Sequence, residues 1–144
     1  MNDNELNEKY IQKLFDKNSF FLEIYSGAVL PMNHPNYYNG RKEISLNKSY
    51  NNIHCTVKIE KNDYSISNDV FNRVEEIVKN NFDKLLEVAK RQSNEMYDGI
   101  IDSLNIKVGS ILIMLSSSNA TNEEDFNYIN LFINQIVDLL KQNN

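Results

Sequence analysis

Cysteine occurs once, at Cys55, proline twice and glycine four times among the 144 residues. A single cysteine excludes a disulfide scaffold. None is needed, because a chain of this size can remove roughly 68 to 70% of its extended surface from water on folding. With so few glycines there is no glycine-rich loop of the kind that cradles a phosphate. No uninterrupted apolar run approaches the roughly 18 to 20 residues of a membrane span. The opening stretch MNDNELNEKY is too polar and acidic for a signal peptide. Positive charge is short as well: Lys+Arg number 15 against Asp+Glu 20, a net charge of -5. The basic face that displaces counterions from duplex nucleic acid is therefore missing. The acidic excess is too small and scattered to mimic a nucleic acid. What remains is the expectation of one soluble, cytoplasmic globular domain spanning residues 1–144, with no membrane partner.

Histidine occurs twice, at His34 and His54. A zinc site needs four ligands in tetrahedral geometry, and two separated histidines with one cysteine do not suggest one. His54 and Cys55 are adjacent in a strand pattern, so they face opposite ways and cannot share a ligand. Cys55 keeps phase with Ile53, Val57 and Ile59 and reads as a small core residue. There is no serine elbow and no Cys/His pair at a catalytic offset. The sequence thus points to no metal, no cofactor and a non-enzymatic role.

The apolar pattern that is present predicts an α+β domain. Leu6, Tyr10, Ile11, Leu14 and Phe15 recur at steps of three and four, an amphipathic N-terminal helix up to Lys17. Phe20 to Tyr25 reads as a strand. Glu43 to Lys48 and Ile53 to Glu60 alternate as half-buried antiparallel strands do, and Asn62-Asp63 reads as a turn returning Tyr64 and Ile66 as a hairpin partner. From Asp69 the period turns helical, and apolar residues keep phase to Leu104. Unbroken, that helix would be about 54 Å long, against a domain diameter of roughly 37 Å. Either it breaks near Gln92-Ser93-Asn94, or its overhang is buried in a homodimer through residues 93–104. Its charges, among them Glu75, Lys79, Glu87 and Arg91, read as a solvated face with i,i+4 pairs. Ile106 to Leu115 ends in Ile-Leu-Ile-Met-Leu and reads as a central strand covered on both faces. Thr121 and Glu124 fit a capping box for a C-terminal helix running to about Lys141. The whole predicts an antiparallel sheet of four to five strands carrying an N-terminal helix, a long central helix or two, and a C-terminal helix.

Residues 28–41, AVLPMNHPNYYNGR, hold both prolines and follow neither period, so they form a long loop. His34, Tyr37, Tyr38 and Arg41 place a titratable ring, two stacking surfaces and a guanidinium in this one segment, and they are the candidate binding residues. The set suits a carboxylate on a partner protein or a small nucleotide-like ligand. Alternatively, the tyrosines of an ordered connector pack on the core. The SSSNAT segment before the last helix could cup an anion, but Glu123, Glu124 and Asp125 would repel it.

The stretch NEEDFNYINLFINQIVDLLKQN, residues 122–143, follows the strand VGSILIML. Together they resemble the end of GAF domains, where a core strand leads through an acidic turn to a terminal helix with apolar residues at these offsets and a Gln near Gln135. The resemblance covers about a quarter of the chain. It implies a small-molecule sensory or dimerisation domain and carries over no binding residue. Two roles follow from the sequence. One is a partner-binding regulator or inhibitor of the phage, mobile-element or immunity-protein type, contacting through the tyrosine loop and a nearby sheet edge. The other is a ligand-sensing domain with a pocket of at least about 300 Å³ between sheet and helices.

Overall fold

The computed structural model describes residues 3–93 and 100–142. Helix α1 (Asp3–Lys17) is followed by strands β1 (Phe20–Ala28), β2 (Lys42–Ser49), β3 (Asn52–Ile59) and β4 (Asn62–Tyr64). Helices α2 (Asn68–Asn80) and α3 (Phe82–Lys90) come next, then β5 (Ile100–Val108), β6 (Ile111–Leu115), a 3-10 turn at Ser117–Asn119 and helix α4 (Glu123–Gln142). The strands form one antiparallel sheet in the order β4-β3-β2-β1-β5-β6. The architecture is α+β, with six strands where four to five were expected.

One parity of every long strand is buried: Leu22 and Ile24 lie beside Ile44 and Leu46 on one side and Leu104 and Ile106 on the other. The same cluster takes in Phe15 of α1, Phe71 and Val74 of α2, Leu85 of α3 and Ile129 and Phe132 of α4. All four helices therefore cover a single face. Phe15 packs on Phe20 and edge-on to Phe82. The opposite parity, including Glu23, Tyr25, Ser45, Thr56, Asn105 and Met114, faces away from every helix.

Of the two outcomes expected for the central helical stretch, the break near Gln92-Ser93-Asn94 is the one observed, and the stretch forms two helices. It kinks at Asn81, whose side-chain N–H donates to the Ile77 carbonyl at 2.8 Å while its oxygen accepts from the Tyr128 hydroxyl at 2.8 Å. It ends at Lys90, and Ile100–Val108 is a strand. Ile100 and Leu104 keep helical phase in the sequence and yet lie in a strand, since a step of four residues fits both the helical period and an even strand period. Met96, Tyr97 and Gly99, which the helical reading included, lie outside the described residues. With no overhanging helix, the ground for a homodimer through residues 93–104 is gone. Nor is Ile106 to Leu115 one covered central strand: Gly109, at φ 61, turns the chain, and β6 is an edge strand with Leu112 and Met114 exposed.

Smaller departures share one theme, the competition between neighbouring residues for a cap or turn. Glu60 and Lys61 make the β3–β4 turn, with Glu60 at φ 56, so Asn62 and Asp63 lie in β4. Asn122 caps α4 in place of Thr121, accepting from the Asp125 N–H at 2.7 Å. Asp125, 1% exposed, accepts from the Asn122 side-chain amide at 3.4 Å and also accepts a two-pronged bond from Arg91, with both distances 2.9 Å. Arg91 thereby joins the end of α3 to the start of α4 and is not the expected partner of Glu87. Glu75 also departs from the solvated face. It is buried, and although Lys79 does approach at 4.0 Å, Lys48 of β2 comes nearer at 3.3 Å.

Candidate functional site

Loop 29–41 is ordered by four successive reverse turns. His34 N–H donates to the Pro31 carbonyl, Tyr37 to His34, Asn39 to Asn36 and Arg41 to Tyr38, at 2.9 to 3.2 Å. His34 turns back on this loop, its Nδ1 accepting from the Asn36 N–H at 3.0 Å. The loop is anchored to the β3–β4 turn, where Glu60 N–H donates to the Arg41 carbonyl at 2.7 Å and Gly40 N–H to the Glu60 carboxylate at 3.2 Å.

Arg41, 4% exposed, is the staple of the loop. Its Nε donates to the Tyr37 carbonyl at 3.0 Å, Nη2 to the Ala28 carbonyl at 2.9 Å, and Nη1 to the Tyr25 hydroxyl. Its guanidinium lies 3.8 Å from the centre of the Tyr37 ring, and Glu43 is 3.7 Å from Nη1. The space on its other side exists because residue 27 is glycine: a Cβ there would lie 2.9 Å from Cζ. The structure therefore brings Tyr37 and Arg41 together, and it engages the guanidinium within the chain. Tyr38 stands edge-on to Tyr37 at 4.9 Å and faces β3, with Lys58 and Lys61 5.8 and 5.7 Å from its ring.

Beyond the loop, the site continues over residues the sequence reading did not single out. A shallow hollow of about 310 Å³ on the helix-free face is lined by the side chains of Glu23, Tyr25, Glu43, Ser45, Thr56 and Ser103. Tyr25 also borders a 200 Å³ hollow over Gly27, Val29, Tyr37 and Arg41, so loop and sheet face adjoin. Asn105 fixes Glu23 at 3.2 Å, and Arg41 fixes the Tyr25 oxygen. The arrangement offers two carboxylates and four hydroxyls on a rigid platform. Strand alternation could have revealed it, because Glu23 and Tyr25 share a parity opposite to Leu22 and Ile24.

Two further features lie on the helix side. A 470 Å³ groove between α1 and the α2–α3 junction is lined by Glu8, Glu76, Asp83 and Lys79. Neither it nor the outer-face hollow lies between sheet and helices, where a ligand pocket was expected. Near the start of β5, Asp102 accepts from the hydroxyls of Ser116, at 2.5 Å, and Ser117. Ser118 bonds Ser116 at 2.8 Å, and Gln92 accepts from the Ser116 N–H at 2.9 Å. The serine run thus closes on a carboxylate of the chain, which disfavours an anion there. Cys55 and His54 face opposite ways as read, and burial pushes the Cys55 thiol up from its ordinary value. Among the described residues no group of three or more His, Cys, Asp or Glu could hold a metal ion, and no helix is long and apolar enough to cross a membrane. No family model matches the chain, and no curated protein does.

Proposed function

We propose that this protein is a partner-binding regulator or inhibitor that acts by protein–protein contact through the helix-free face of its sheet and the adjoining loop 29–41. The observation that carries the reading is the hollow around Tyr25, where Glu23 and Glu43 meet hydroxyls on a fixed strand platform. An uncovered face is ordinary for an antiparallel sheet. This one also carries Phe21, Tyr25 and Met114, residue types that interfaces favour, beside an exposed Leu112. Side chains already held by Asn105 and Arg41 lose little freedom on binding. The two carboxylates give the partner's chemistry: a protein surface presenting lysine or arginine.

A photo-crosslinking residue at Thr56 in the full chain, exposed to lysate, is expected to capture one discrete protein. Glu23→Lys with Glu43→Lys is expected to abolish that capture while the far-ultraviolet circular dichroism stays that of the wild type. Capture that survives the charge reversal would reject the surface. A thermal shift with a metabolite would favour ligand sensing instead, since a ligand at about 100 times its dissociation constant adds about 2.7 kcal/mol.

A further inference from the structure

Strand β6 is a sheet edge built wholly of apolar residues, Ile111-Leu112-Ile113-Met114-Leu115. Soluble proteins guard such edges with charge, proline, a bulge or brevity. The opposite edge, β4, follows that rule with three residues, Asn62–Tyr64. β6 has no charge and no proline, and its Leu112 and Met114 are 55% and 62% exposed. Its backbone is open at the same two residues. The turn Gly109-Ser110 closes on the pair Val108↔Ile111, which a two-residue hairpin makes a hydrogen-bonded pair, and bonded and non-bonded pairs alternate from there. Ile111, Ile113 and Leu115 therefore direct their N–H and C=O groups to β5. Those of Leu112 and Met114 point off the edge, where no strand of the described residues pairs with them.

Going beyond the partner-binding reading, we infer that a second copy of this chain pairs antiparallel on β6, about a two-fold axis through Ile113. In that register Leu112 lies opposite Met114 of the second copy, and Met114 opposite its Leu112. Both are hydrogen-bonded pairs, so every outward backbone group of the two residues is satisfied. The edge is its own complement, as an isologous interface requires: apolar meets apolar at each position, and no charge faces another. A second copy is favoured over an unrelated strand because this edge alone supplies both the register and the side chains that fill it. Helix α3 packs beneath β6. Lys84 of α3 and Arg91, its C-cap, turn toward Glu124 and Asp125 of α4. Five residues of strand fall short of the roughly 1,200 Å² that a stable interface buries. The association is therefore weak and concentration-dependent, and it joins the helix-free faces of both copies into one surface.

Sedimentation velocity of the full chain from about 1 to about 500 µM is expected to show monomer passing to dimer by mass action. Leu112→Lys with Met114→Lys is expected to weaken the association at least about tenfold and leave the melting temperature unchanged. A register test uses Leu112→Cys and Met114→Cys in a Cys55→Ser background. An oxidised mixture of the two should yield a disulfide-linked pair, and either alone should yield far less. A protein that stays monomeric at the highest concentration, or a dimer indifferent to both lysines, would overturn the inference. So would a monomer whose edge instead takes up an extended apolar peptide.

Discussion

Gly27 and Arg41 form a single packing unit, and that makes a test with a change of sign. A Cβ at residue 27 would lie 2.9 Å from Cζ, 3.0 Å from Nη2 and 3.2 Å from Nη1 of Arg41. The guanidinium cannot retreat, because the Tyr37 ring lies 3.8 Å from it and its three nitrogens are tied to Tyr37, Tyr25 and Ala28. Gly27→Ala is therefore an overpacking change expected to cost roughly 1 to 3 kcal/mol. Arg41→Ala removes the obstacle but strands two carbonyls and a hydroxyl, at about 3 kcal/mol after partial access by water. In the Arg41→Ala background the three atoms nearest to the extra methyl are gone. There Gly27→Ala is expected to stabilise by about 0.5 to 1 kcal/mol, the usual gain of alanine over glycine in a strand.

Urea unfolding of the four proteins measures the cycle, and each kcal/mol should move the melting temperature by about 2 to 4 °C. The loop provides a second readout: without its staple, chymotrypsin should cut at Tyr37 and Tyr38 sooner. A Gly27→Ala cost of equal size in both backgrounds would refute the reasoning, since it would show that the glycine answers to its own backbone and not to Arg41.

Two other expectations follow from the helix side. The Arg91 hydrogen bonds hold the Asp125 carboxyl below its ordinary value of 3.8. Its contribution to stability is therefore complete above that value and fades as pH falls through the lower folded one. Wild type should lose more stability between about pH 5 and pH 3 than Asp125→Asn, which should itself cost about 1 to 3 kcal/mol at pH 7; parallel pH curves would contradict this. Tyr128→Phe, by removing the bond to Asn81 at the α2–α3 kink, should cost about 1 kcal/mol. Burial pushes the Tyr128 phenol up to about 12, so alkaline titration should show one late-ionising tyrosine that the variant lacks.

The helices and β-strands whose periodicity was unambiguous were legible. Phe20 to Tyr25, Glu43 to Lys48 and the alternation through Cys55 all lie in strands close to their expected bounds. Asp69 to Lys90 was legible as helix, with a break near Gln92-Ser93-Asn94 as one of two expected outcomes, but Ile100 to Leu104 was not, because that step is shared by both periods and only tertiary pairing with β1 decides it. β6 misled for a different reason. Its apolar run looked like burial on two faces, whereas Leu112 and Met114 are exposed. For the site, Arg41 was legible as a chemically special residue, but its burial depends on Gly27, fourteen positions away, and no local pattern could show that. Glu23 and Glu43 come together only through the β1–β2 register.

The distribution of unused hydrogen-bonding capacity separates the two sides of the sheet. On the helix side the three carboxylates at the margin of the core are closed from within: Glu75 by Lys48 and Lys79, Asp125 by Arg91 and Asn122, Asp102 by Ser116 and Ser117. A buried charge without such closure would cost several kcal/mol, so these groups serve the fold. On the other side, Glu23 holds one bond to Asn105, and Glu43 lies 3.7 Å from a guanidinium already engaged elsewhere. Both retain acceptor positions open to water, as do the hydroxyls of Ser45, Thr56 and Ser103 around them. Water satisfies such groups at no cost to folding, and a partner's ammonium or guanidinium can replace it without rearranging the platform. The face that contributes least to holding the chain together is the one whose chemistry is free to hold something else.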